Sequence, residues 1–143
     1  MGLLDGLRGR ARSTATPRVV VPASGPVVDI EIVGEASYQA HIKLVERRHG
    51  VAEFTIGLRA QPDNPYDANA VAVYADGGIV GFLPRDLAKH WQPAVLAAEA
   101  QGSTVLGTAT IYGGTPDKPN LGVFGSATWP GEGKPLDRYH RGK

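Results

Sequence analysis

Pro62-Asp63-Asn64-Pro65-Tyr66-Asp67-Ala68-Asn69, running straight into Ala70-Val71-Ala72-Val73-Tyr74, decides how the rest of the chain is read. The prolines fix φ and remove two backbone donors, which excludes helix and central strand from position 62 to 65. Asn64 precedes a proline and is pushed to an extended backbone. Asp67 and Asn69 have side chains that bond nearby amides and hold a tight turn. The small and β-branched run from Ala70 reads as a buried strand. A stiff loop therefore feeds a core strand and presents the Tyr66 ring beside the Asp67 carboxylate. Braced loops are where binding residues concentrate. A purely structural turn, with Asn64, Pro65 and Asn69 as its brace, fits the same residues.

Upstream, Val51 to Ala60 alternates, with Phe54, Ile56 and Leu58 on one side and Glu53, Thr55 and Arg59 on the other, which predicts a strand. Before it, Val27 to Val33 predicts the first strand, ended by Gly34. Ser37 then suits the cap of a helix running through Tyr38 to Arg48, with Tyr38, Ile42 and Val45 as its inward stripe and Gly50 as its stop. Downstream, Asp76-Gly77-Gly78 is a hairpin signal between strands at 70–75 and 79–83. Pro84 opens a helix whose buried stripe is Leu87, Trp91, Val95 and Ala98, and Pro93 should kink or split it near Gln92. Strands at 104–112 and 121–129 follow, joined by a Gly- and Pro-rich loop. The expected fold is mainly β with two helices: a small, partly open six-stranded barrel of the OB-like or SH3-like kind. Such barrels offer a groove that accepts single-stranded nucleic acid on aromatic platforms.

The chain of 143 residues, 42% hydrophobic, suffices for one domain with tails. We divide it into a flexible basic arm (1–26), a body (27–129) and a flexible basic tail (130–143). The arm has four arginines against one aspartate, and the tail four basic residues against two acidic. The body has seven basic against eleven acidic residues, a net of −4. An acidic body is unlike a domain that grips a duplex with one broad basic face, so any nucleic-acid site must be small and local. Leu3, Leu4 and Leu7 leave room for a short amphipathic helix, although a solvated arm is the simpler reading. There are no cysteines, hence no disulfides or thiolate metal sites. No apolar run approaches the roughly 18 residues that span a bilayer, and the first residues are too quickly interrupted for a signal core. A cytoplasmic protein without a membrane partner is expected.

Catalytic constellations fail on inspection. His41, His49, His90 and His140 lack metal-ligand spacing, and there is no Gly-x-Ser-x-Gly elbow. Gly113 to Lys118 lacks the Gly-Lys-Ser/Thr ending of a phosphate loop. Asp63, Asp67 and Asn69 have only part of a calcium-loop spacing, with Pro65 and Ala68 out of place. A non-catalytic protein that needs no cofactor is expected.

Three runs carry a resemblance: Ile32-Val33-Gly34-Glu35-Ala36-Ser37-Tyr38, then Leu58 through Asn64-Pro65-Tyr66-Asp67 to Tyr74, then Val80-Gly81-Phe82-Leu83-Pro84-Arg85-Asp86-Leu87-Ala88. Together they resemble the HIRAN domain, over about residues 27–129. The resemblance implies a modified OB-like barrel with two helices, found fused to fork-remodelling helicases and as stand-alone bacterial proteins. It implies capture of the 3′-hydroxyl end of single-stranded DNA, in DNA repair or replication-fork processing, with any catalysis left to a helicase or nuclease partner. Carried over, Tyr66 stacks on the last base and Asp67 accepts the terminal hydroxyl. A hydroxyl donates and a carboxylate only accepts, whereas a 3′-phosphate would be repelled. Arg85 matches a phosphate contact, and Tyr38 and Phe124 match stacking positions; Arg59, as a further phosphate contact, and Phe82 complete the expected DNA-binding residues. Phe82 stands where the family's Gly-x-Leu turn has a polar residue. Ala36 and Ser37 replace an Arg-aromatic pair, and the segment from Tyr38 to His49 reads as helix where the family has strand. The alternative function is a protein-interaction module using the barrel and basic arms without DNA-end binding.

Overall fold

Asp76 (φ 50°) and Gly77 (φ 84°) both take positive φ, the geometry of a two-residue hairpin turn whose twist suits its flanking strands. The computed structural model, which describes residues 21–133 and Pro135, pairs Ala75 with Gly78 across that turn. In chain order the elements are β1 (Val21–Pro22), β2 (Val27–Ile30), a 3-10 turn (Glu35–Tyr38), α1 (Gln39–His49), β3 (Phe54–Gln61), β4 (Ala70–Ala75), β5 (Gly78–Phe82), α2 (Arg85–Ala100), β6 (Ser103–Gly113) and β7 (Leu121–Thr128). The arm from 1 to 20, with its three leucines, and the tail from 136 lie outside the described residues.

The architecture is mainly β with two helices, as expected, but the six-stranded barrel is not what forms. One seven-stranded sheet runs β2-β7-β6-β3-β4-β5, and β1 adds beside β6. Every pairing is antiparallel except that of β1 with β6. The sheet stays open because β2 stops at Ile30 instead of continuing to Val33. The chain then turns through Gly34 (φ 81°) into the 3-10 turn and α1. Among the described residues, Val33 forms the isolated backbone bridge to the far edge, exchanging two hydrogen bonds with Phe82 at 2.8 and 2.9 Å. The approach needs Gly81: a Cβ there would lie 2.6 Å from Ile32 Cγ2 and 2.8 Å from the Val33 carbonyl oxygen. Gly81→Ala is expected to lower stability by about 1–3 kcal/mol through this overpacking. Gly57→Ala, whose Cβ would meet nothing closer than 3.8 Å, should move a urea midpoint little. Equal midpoints for the two variants would overturn the close-approach account.

Helix boundaries shift for local reasons. Ser37 makes no cap; the 3-10 turn ends at Tyr38 and α1 starts at Gln39 without a side-chain cap. Gly50 stops α1 with its N–H on the Glu46 carbonyl at 2.7 Å. Ile42 and Val45 are buried as expected, and Tyr38 is half-buried. α2 starts after Pro84 and runs unbroken past Pro93 to Ala100. Proline removes a hydrogen bond to the carbonyl four residues back, here that of Lys89. Both Lys89 and Pro93 are exposed, so water can take up that carbonyl and the buried face stays intact. Leu87, Trp91 and Val95 are fully buried and Ala98 nearly so, and α2 packs on β3, β4 and β6. Every β4 residue but Tyr74 is buried, which explains why this strand reads as a continuous apolar run.

Candidate nucleic-acid interface

The loop between β3 and β4 is braced from within. Asn64 donates its backbone N–H to the Gln61 carbonyl (3.0 Å) and its side-chain amide to Gln61 Oε1 (2.9 Å). Asn64 Oδ1 in turn accepts from the N–H groups of Tyr66 (2.8 Å) and Asp67 (3.2 Å). Asp67 Oδ1 accepts from the Asn69 N–H at 2.9 Å. These side chains do what regular secondary structure does elsewhere, supplying acceptors to amides that no ladder reaches.

α2 clasps the same loop from below. Gln92 is buried, and its Nε2 donates to the carbonyls of Ala68 (2.8 Å) and Ala70 (3.0 Å). Arg85, in the first turn of α2, donates from Nη2 to the Tyr66 carbonyl at 3.3 Å. The Tyr66 backbone is thereby held at both its N–H and its carbonyl, while 86% of the residue stays exposed to solvent. A large aromatic held out on a braced loop is unusual for a residue with no partner to cover it.

Beneath the loop lies a hollow of about 430 Å³. Tyr38, Asn64, Pro65, Tyr66, Asp67, Phe82 and Arg85 all line it, together with Val33, Gln61, Ala70, Ile79 and Leu83. Segments far apart in sequence thus converge where the single Val33–Phe82 pair brings the sheet's edges together. Tyr38 and Phe82 form an aromatic wall, with ring centroids 6.0 Å apart and planes tilted by 44°. Asp67 and Arg85 add a carboxylate and a guanidinium to one apolar cavity. Asp67 Oδ2 has no hydrogen-bond partner among the described residues, since the turn uses only Oδ1. The hollow offers a hydrogen-bond acceptor, a fixed cation and three rings.

Two of the expected residues lie elsewhere. Arg59 lines a separate hollow with Glu99 and Ser103, its guanidinium 5.4 Å from the centroid of the Tyr74 ring. Phe124 is on the outer face of β7 and borders a groove with Asp29, Glu53 and Thr108. Sequence reasoning missed Gln61 and Gln92. The only sequence signal for Gln92 is a polar residue four places after Ala88, on the flank of the apolar stripe. A further hollow of about 320 Å³ is lined by Glu35, Ala36, Tyr112, Lys118 and Leu121, so the 3-10 turn borders both it and the main one. The Tyr112 phenol is pushed above its ordinary range by burial first and then by Glu35 and Glu31.

Among the described residues no group of three or more acids and histidines is placed to hold a metal ion. No described helix is long and apolar enough to cross a membrane.

The described residues thus form an open β-sheet with two helices, whose hollow gathers rings, one carboxylate and one cation. The chain matches the HIRAN domain over residues 28–124 and belongs to that family. The HIRAN domain is generally a DNA-binding module and typically non-catalytic. No curated protein and no solved structure matches the chain.

Proposed function

We propose that this domain captures the free 3′-hydroxyl end of single-stranded DNA in the hollow under the 62–69 loop, without catalysing a reaction. The observation that carries the reading is the convergence of Tyr66, Asp67, Tyr38, Phe82 and Arg85 on one cavity. The terminal hydroxyl donates to Asp67 Oδ2, the acceptor that the turn leaves over. The last base covers the exposed Tyr66 ring, and Arg85 takes the adjoining phosphate. Tyr38 and Phe82 form the apolar wall against the sugar or base. Arg59 and Phe124 lie outside this cavity and are not assigned to end capture. A strand without an end cannot bring a hydroxyl to Asp67, and a 3′-phosphate brings a second anion there. Cleavage or unwinding of the captured end belongs to a separate helicase or nuclease partner.

The test is fluorescence anisotropy at fixed salt with strands ending in 3′-hydroxyl or 3′-phosphate and with a circular strand. The hydroxyl end should bind best. Equal binding of all three sinks the reading. Tyr66→Ala should weaken binding to every strand end by about 1–3 kcal/mol, the loss of one stacked base. Asp67→Asn should erase the preference over 3′-phosphate, a difference of about 1.5–3 kcal/mol for a hydrogen bond to a charged acceptor. Its amide still has an Oδ1 to hold Asn69, so the urea midpoint should stay close to that of the parent protein.

A further inference from the structure

Three of the seven basic residues in the acidic body, Lys43, Arg47 and Arg48, fall within six positions of α1. All three are exposed. Arg48 lies 3.9 Å from Asp76, whereas Lys43 and Arg47 have no ion-pair partner among the described residues. These two are one turn apart, about 6 Å along the helix axis, a step of the same order as between successive phosphates of an extended strand. They share one side of the helix, opposite the buried Ile42 and Val45.

The position of the helix gives that side a direction. Its first residue follows directly on Tyr38, which lines the main hollow. Gln39 bonds both the N–H and the carbonyl of Leu121, at 2.8 Å each. Lys43 is one turn on from Gln39 and rises from the same flank. A strand leaving the hollow over the 3-10 turn would meet these two cations next, in a body whose net charge otherwise repels it.

We infer that α1 is a phosphate track, on which Lys43 and Arg47 hold the sugar–phosphate backbone of the same DNA strand whose 3′ end sits in the hollow. The inference rests on the end-capture reading and extends it. Asp67 and Tyr66 choose the end; α1 sets the affinity for the nucleotides that precede it and makes that affinity depend on length and salt.

The experiment is a salt titration of the full chain with strands of three and ten nucleotides, each with a free 3′-hydroxyl. For single strands, each phosphate contact adds about 0.7 to the slope of log affinity against log salt. Lys43→Gln with Arg47→Gln should therefore flatten the slope on the longer strand by about 1.4. A fourfold rise in salt would then weaken the parent about sevenfold more than the variant. On the short strand the two proteins should agree, and the preference for 3′-hydroxyl over 3′-phosphate should be unchanged. Lys89→Gln, on α2 one turn beyond Arg85, is the comparison. A slope that flattens only with Lys89→Gln moves the track to α2 and overturns the inference. An unchanged slope in both variants, with the parent still preferring a hydroxyl end, also overturns it while leaving end capture standing. Absence of end preference in the parent protein removes both readings.

Discussion

Trp91→Ala lowers the free energy of unfolding by about 3–5 kcal/mol, the largest loss expected from a single side chain in this domain. Trp91 is fully buried. It stands at the centre of the α2 stripe, edge-on to Trp129, with ring centroids 4.9 Å apart and planes at 72°. Truncation removes a whole indole from a sheet–helix interface whose backbone elements cannot close the gap, so transfer and cavity terms add. In a domain of this size the thermal midpoint should fall by on the order of 10 °C or more. Circular dichroism during a thermal or urea melt reads this directly. Trp129 remains as a fluorescent reporter, stacked on His90 at 4.9 Å. Trp91→Phe keeps much of the apolar surface and should lose clearly less. A Trp91→Ala midpoint within a degree or two of the parent would mean that α2 is not what anchors the sheet.

Gln92→Leu is the second large effect, and it links stability to the binding loop. Leucine is close to glutamine in volume, so packing changes little. The Ala68 and Ala70 carbonyls, however, both lose their buried donor. The Ala70 bond is buried, whereas Ala68 is exposed and water can reach its carbonyl; one buried acceptor left unpaired costs about 1–3 kcal/mol, and that is the loss expected here. The loss falls on the end of the loop where Asp67 and Asn69 are set. DNA affinity should therefore weaken more than the change in global stability explains, at temperatures where the fold persists. Gln92→Glu gives a sign to check. Burial and two facing carbonyls would hold its carboxyl pKa above the unfolded value, so its proton stays bound longer in the folded state. That variant should be closest to the parent at low pH and lose stability relative to it as pH rises. A pH-independent difference between the two would contradict the clasp.

The sequence announced those parts of the domain whose signals are local. The alternation of Phe54, Ile56 and Leu58, the apolar run of β4, the Asp76-Gly77 hairpin and the stripe of α2 each follow from short-range periodicity or turn chemistry, and each is present. What it could not give were facts about distance. β1 is two residues long, too short for any period to show. The stop of β2 at Ile30 and the close approach of Ile32 and Val33 to Gly81 join residues some fifty positions apart, beyond the reach of any local signal. The candidate site divides in the same way. Tyr66, Asp67, Phe82 and Arg85 lie in or beside the motif and line one hollow. Arg59 and Phe124 are as close in sequence to motif or strand, but they sit on strand faces turned to other hollows. Gln92 was hidden because a glutamine in a helix ordinarily reads as a surface residue.

The pairing of Val33 with Phe82 consists of two hydrogen bonds outside the ladders of the sheet. Both residues line the hollow, and no ladder on either side of them has to break for that pair to part. Parting it would widen the cavity by a local opening rather than by unfolding the sheet. Amide hydrogen exchange should register this at Val33 and Phe82, with protection well below that of β4, and a strand end seated in the hollow should slow both. An opening of this kind breaks two hydrogen bonds and leaves the ladders of the sheet intact.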